Sequence, residues 1–160
     1  MQIIDVLTEK QIVADLRAIN RWEAIHELTD RLIAAGKVRP AHREAIIAAV
    51  RKRESSMSTG IGRGIALPHA TTELVPELMA ALGRSRRPVD FDALDGEPAS
   101  IVILLLVPHG RLQAHLHTLA STTRLLQDAV LREAIAEAPD AKEILRILRS
   151  HSGAPFCRCT

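Results

Sequence analysis

Two histidines sit where their surroundings suit chemistry on an anion. His69 follows Pro68, just downstream of Ser58-Thr59-Gly60-Ile61-Gly62-Arg63-Gly64, a run of three glycines and two hydroxyl side chains. Small neighbours let a bulky anion approach the imidazole, and glycines let backbone N–H groups crowd toward it, as in oxyanion and phosphate nests. The run is not a P-loop, because it lacks the Gly-Lys-Ser/Thr ending. It is not a dinucleotide fingerprint either, since its glycines precede a strand pattern and not a helix. The plainer alternative for His69 is a strand-terminal ring satisfied by a backbone carbonyl. His115, three residues after Leu112 and four before Leu119, borders the inward face of a helical pattern. It is either a core-edge residue or the second half of a two-histidine site. Both histidines follow a strand pattern that ends in proline, and ligands of open α/β sheets bind at the carboxyl ends of strands. Two imidazoles converging there with the hydroxyls of Ser58 and Thr59 and the N–H groups of Gly60 and Gly62 make an anion site with one nucleophile. His26, His42, His117 and His151 read as solvated surface histidines.

The elements that must position these residues follow from periodicity. Ile12–Leu16 has strand-like composition. Asn20 with Glu23 three residues on makes a capping-box start, and Trp22, Ile25, Leu28, Leu32 and Ala35 continue at helical spacing to a stop at Gly36. A second helix from Pro40 places Ile46, Ile47 and Val50 inward and ends in Arg51-Lys52-Arg53, cations that suit the negative end of a helix dipole. A flexible, hydroxyl-rich loop from Ser55 to Gly64 follows, then a short strand Ile65–Leu67 closed by Pro68. Leu78–Leu82 is ambiguous between helix and strand, and Pro88–Phe91 opens an irregular connection with a turn at Asp95-Gly96. Ser100–Val107 is apolar on both faces, the pattern of a central strand covered on both sides. A long helix then presents Leu112, Leu116, Leu119, Thr123 and Leu126, and Asp128 and Asp140 cap two more. The fold class is α/β, a single layered domain with a mixed β-sheet flanked by α-helices on both faces.

Composition narrows the function. The chain has 160 residues, 47% of them hydrophobic and 25% charged, with a net charge of +2. One domain of residues 1–150 with a tail of 151–160 accounts for it. Aromatics are 2% of residues with no tyrosine, which argues against base-stacking surfaces and hence against nucleic acid as a partner. The basic clusters, Arg51-Lys52-Arg53 and Arg84 with Arg86-Arg87, are too small for a nucleic-acid face. They read as solvated surface or as a docking patch for an acidic partner. No stretch is long enough for a membrane span. Cys157 and Cys159 in the tail cannot staple the fold, which fits a reducing, cytoplasmic location. A metal site built from His109, His115, His117 and these cysteines has the wrong spacing, so no metal is expected.

The segment Ser58–His69 resembles the phosphorylation-site segment of the mannitol/fructose-type enzyme IIA proteins of the bacterial phosphotransferase system, and most closely the nitrogen-regulatory type. Pro88–Gly96, Leu105–Pro108 and His115–Leu119 agree with the same family in order and spacing. Arg63 stands where asparagine is common, Ala70 where glycine is frequent, and Cys157-Arg158-Cys159 matches nothing in the family. The resemblance implies that His69 accepts a phosphoryl group from a phosphohistidine on a small HPr-like carrier protein. It also implies that His115 hydrogen-bonds the phosphate, with Ser58, Thr59, Gly60, Gly62 and Arg63 around the phosphate or a partner. The chemistry requires no cofactor. The resemblance implies a phosphoryl carrier whose phosphorylation state regulates other proteins, potassium-transport or sensor-kinase proteins among them, and 160 residues leave no room for a fused sugar-specific domain. A sugar-specific enzyme IIA that passes phosphate to a separate enzyme IIB is the alternative, and a binding module in which His69 is never phosphorylated is the second.

Overall fold

The computed structural model describes residues 2–152; Cys157 and Cys159 lie outside them. The chain runs β1 (Ile12–Val13), α1 (Arg21–Ala34), α2 (Arg43–Ser56), β2 (Gly60–Gly62), β3 (Ile65–Ala66), β4 (His69–Thr72), β5 (Met79–Val89), β6 (Ala99–Pro108), α3 (Leu112–Leu126), α4 (Ala129–Glu137) and α5 (Ala141–Ser152). The strands form one mixed sheet in the order β1-β5-β6-β3-β2, with β4 pairing β6 beyond β3. β5 and β6 are antiparallel, while β3 and β4 both run parallel to β6.

β6 is central because both of its faces are apolar. Val102, Leu104 and Leu106 pack with Ala24, Ile25, Leu28 and Leu32 of α1 and Ile46 and Val50 of α2. Ile101, Ile103, Leu105 and Val107 pack on the other side with Leu126 of α3, Leu131 and Ile135 of α4, and Ile144 and Leu148 of α5. A strand alternates its side chains between two faces, so an unbroken aliphatic run requires a layer on each. The layered α/β expectation therefore holds.

The caps behave as the sequence indicates. Asn20 Oδ1 accepts from the Glu23 N–H at 2.9 Å, and Asp128 and Asp140 accept from Val130 and Glu143 N–H groups, each at 2.9 Å. Several boundaries differ from expectation. Ser55 and Ser56 belong to the last turn of α2, and the remaining glycine run is a paired hairpin. Leu78 precedes β5, which continues through Pro88 to Val89, so the ambiguous stretch is strand and the connection starts later. Pro88 is tolerated because the β5–β6 ladder is irregular between Arg84 and Val89. His151 lies in the last turn of α5, with its ring against the Ile147 carbonyl at 3.0 Å, and is half-buried, as is His26 on α1.

Arg84 is not a surface residue of its cluster but is 2% exposed. Its guanidinium donates to the carbonyls of Ala14 at 2.8 Å and Ile135 at 2.9 Å, and to that of Ala138. The last two lie at the C-terminus of α4, where orphan carbonyls and the negative dipole end accommodate a cation. Burial lowers its pKa from the ordinary arginine value.

Candidate functional site

His69 opens a strand instead of closing one. The chain leaves the sheet at Leu67-Pro68 and re-enters at His69, which stands opposite Leu105 of β6. The Leu67 N–H donates to Thr59 O and the Pro68 carbonyl accepts from Leu105 N–H, both at 3.0 Å, so the break is itself hydrogen-bonded. It frees the Leu67 carbonyl to meet His69 Nδ1 at 2.9 Å. A carbonyl only accepts, so Nδ1 carries the hydrogen and Nε2 keeps its lone pair in the neutral ring. Burial pushes the His69 pKa below its ordinary value; the Leu67 carbonyl opposes this, Arg53 adds to it, and Glu54 opposes it. The net result is a neutral imidazole at neutral pH with a fixed tautomer.

His69 lines a cleft of about 520 Å³ with Lys52, Arg53 and Ser56 of α2, Thr71 of β4 and Leu112 of α3. Two cations from the end of one helix and an apolar residue from the start of another thus line the same cleft as the ring. His115, three residues after Leu112, is half-buried and does not line this cleft. Its Nδ1 is buried without a hydrogen-bond partner among the described residues. The expected inward face of α3 is displaced. Thr118, Thr122 and Leu126 are its buried residues, Leu119 packs partly against the core, and Leu112 and Leu116 are exposed. Spacing alone does not separate a core stripe from an apolar rim around a cleft. His117 is exposed, as expected.

The glycine hairpin has a different task from the expected nest. Ser58 Oγ donates to the Phe91 carbonyl and accepts from Gly60 N–H at 3.0 Å. Thr59, 5% exposed, donates through its N–H at 3.3 Å and through its hydroxyl to the carboxylate of Glu54, itself 1% exposed. Arg21 lies 3.5 Å from the same carboxylate. A Cβ on Gly60 would stand 3.0 Å from that of Ala93, and one on Gly62, at φ +87°, would stand 2.8 Å from Asp95 Oδ2. These glycines admit the 91–95 connection. Arg63 and Gly64 form the hairpin turn, both at positive φ, and Asp95 accepts from Arg63 N–H at 2.8 Å. The Asp95 carboxyl is held below its usual range by that bond and one from Glu97 N–H. Arg63 adjoins Gly64, whose carbonyl binds the N–H groups of Ser100 and Ile101. At ~3.3 Å per residue, that is about 15 Å along β6 from Leu105, the level of His69. The structure therefore separates Arg63 from His69.

Sequence reasoning missed Lys52, Arg53 and Glu54. The signal available was a cluster of charges on the helix turn immediately before the glycine run; helix-dipole complementarity explained the cations without it.

A mixed sheet carries a tautomer-locked histidine in a cleft that two cations also line. The chain matches the family model described as phosphoenolpyruvate-dependent sugar phosphotransferase system, EIIA 2, over residues 5–151, and it belongs to that family. It is 37% identical over 153 residues to the fructose-specific EIIABC component of the phosphotransferase system of Bacillus subtilis, covering 94% of this chain but 24% of that protein. It is 30% identical over 148 residues to the nitrogen regulatory protein of Bradyrhizobium diazoefficiens, covering 92% of this chain and 95% of that one. The crystal structure of nitrogen regulatory protein IIA-Ntr from Neisseria meningitidis superposes with a TM-score of 0.82 at 29% identity, over 91% of this chain and 98% of that one. Among the described residues, no helix is long and apolar enough to cross a membrane.

Proposed function

We propose that the chain is a cytoplasmic phosphoryl carrier that takes its phosphoryl group on Nε2 of His69 from a phosphohistidine of an HPr-like protein and regulates partners by its phosphorylation state. The observation that carries this is the Leu67 carbonyl on His69 Nδ1. As Nε2 attacks phosphorus in line, the donor's P–N bond breaks, and the positive charge that develops on the ring is met at Nδ1–H by that carbonyl. The same bond fixes the ring's orientation, which removes part of the entropic cost of reaction. Lys52 and Arg53 offset the phosphoryl charge, and the exposed Leu112 and Leu116 give a carrier an apolar rim to dock on. The family resemblance gives His115, three residues after Leu112 on α3, the role of hydrogen-bonding the phosphoryl oxygens. Ser58, Thr59, Gly60 and Gly62 hold the hairpin under the site.

Incubation with a phosphorylated HPr-type carrier tests this reading. Wild type takes up one acid-labile, base-stable label; His69→Ala takes up none. Stoichiometric labelling of His69→Ala overturns it. The relation to the Bacillus fructose component supports a second reading, onward transfer to an enzyme IIB. A chase in which the label moves to a IIB protein establishes that reading, and retention of the label in the presence of IIB favours the regulatory one.

A further inference from the structure

A second cleft lies at the other end of the sheet. It measures about 610 Å³ and is lined by Asp15, Arg17 and Ile19 on one wall and Arg86, Arg87 and Pro88 on the other. Both walls are built rigidly. Leu16 N–H is tied to the Arg84 carbonyl at 2.9 Å, Arg17 and Ala18 N–H groups bind the Glu27 carboxylate at 3.0 Å, and Ile19 N–H binds Glu23 at 3.0 Å. Those two carboxylates are therefore engaged by backbone. On the opposite wall, a regular strand would send Arg86 and Arg87 to opposite faces. The irregularity between Arg84 and Val89, held by Ser85 Oγ on the Arg87 carbonyl, leaves Arg86, Arg87 and Pro88 all exposed on the same cleft. Re-aiming side chains is what such bulges do beside binding sites.

Charge completes the picture. Among the described residues, the guanidinium groups of Arg17, Arg86 and Arg87 make no ion pair or side-chain hydrogen bond. Arg84, buried behind the wall, is balanced by carbonyls and not by a carboxylate. Asp15 is the one acid in the lining. Three unpaired guanidiniums, with a fourth behind them, meet one carboxylate in a space of small-molecule size. Guanidinium forks match phosphate oxygens bidentately, and Ile19, 76% exposed, with Pro88 gives an apolar ledge beside them.

We propose that this cleft binds a small molecule through a polyphosphate group of the kind a nucleoside diphosphate carries. The Arg84–Val89 stretch pairs with β6 at Ile101 to Ala99, whereas His69 pairs at Leu105, so ligand and phosphoryl site are separate and the inference does not depend on His69.

The test is titration of the full-length protein with ADP, inorganic pyrophosphate and adenosine, followed by amide chemical shifts. ADP and pyrophosphate are expected to saturate, with shifts confined to residues 15–19 and 84–88; adenosine is not. Pyrophosphate as tight as ADP shows that the phosphates alone are read; tighter ADP shows that the base rests on Ile19 and Pro88. Arg86→Gln with Arg87→Gln, at exposed positions that leave the core intact, is expected to weaken ADP about tenfold or more, while His69→Ala leaves it unchanged. Raised salt weakens binding further. No saturation at millimolar ADP and pyrophosphate, or shifts confined to the His69 cleft, overturns the proposal. So does binding of an acidic peptide in the absence of any binding of the two phosphates, which would make the cleft a protein-docking groove.

Discussion

The hairpin of residues 58–64 and the His69 cleft adjoin in sequence, yet they treat their polar groups in opposite ways. In the hairpin, the hydroxyls of Ser58 and Thr59 and the N–H groups of Thr59, Gly60 and Arg63 all find partners within the protein. In the cleft, the His69 ring is fixed at one nitrogen and open at the other, and Lys52 has no partner among the described residues. Residues that look like an anion cradle are thus tied into the fold, and residues that look like ordinary helix-end cations line the cleft of His69. Completed hydrogen bonding is what separates the two.

Breaking the architecture should cost stability first. Glu54→Ala removes a buried acceptor from Thr59 and a counter-charge from Arg21, and unfolding free energy is expected to fall by about 3 kcal/mol in chemical denaturation. A loss under ~0.5 kcal/mol would mean that the hairpin does not need its carboxylate. The cleft should respond in rate. Lys52→Gln and Arg53→Gln are each expected to slow phosphoryl uptake about tenfold with little change in melting temperature. Arg53 also donates to the Met57 carbonyl at 3.0 Å, an exposed bond of small worth. Unchanged single-turnover kinetics in both variants would remove the cations from the chemistry.

The pH response sharpens the contrast. His69 titrates below the ordinary 6.5 because burial disfavours its charged form. Folded protein therefore resists a proton that the unfolded chain accepts, so this contribution to stability is complete above pH 6.5 and declines as pH falls through the lower, folded value. Proton-detected titration of the His69 ring should place its midpoint below 6.5; a midpoint at or above that value would contradict a buried, tautomer-locked ring. The smallest effect belongs to the turn. Arg63 at φ +56° occupies a left-handed position that asparagine tolerates better. Arg63→Asn is expected to raise stability by roughly 0.5–1 kcal/mol and to leave phosphoryl uptake unaltered. Slowed uptake would bring Arg63 back to the site.

Much of this was legible in the sequence. The two-faced apolar run of β6 dictated the layers, Asn20, Asp128 and Asp140 marked helix starts, and the spacing from Ser58 to His69 pointed to the family. Other features were not, because they depend on contacts distant in sequence. Ser58 meets Phe91 across 33 positions and Arg63 meets Asp95 across 32, and no local pattern announces either. The sequence pattern reads His69 as ending a strand, whereas it opens β4, because Pro68 ends a strand pattern regardless of whether the chain re-enters the sheet beside the same neighbour. Leu112 and Leu116 were assigned to the core because a rim and a core share one periodicity.

Arg84 ties the ends of the chain together. Its guanidinium reads carbonyls from the segment after β1 and from the end of α4, 70 residues before it and about 50 after it. A chain cut after α3 would lose the acceptors at Ile135 and Ala138 together with the helix that covers this guanidinium, and the apolar face of the sheet beside it would be bared. The C-terminal helices are consequently not an appendage that melts by itself. Amide exchange at the end of α4 should proceed at the pace of β5, so that the chain opens as one unit.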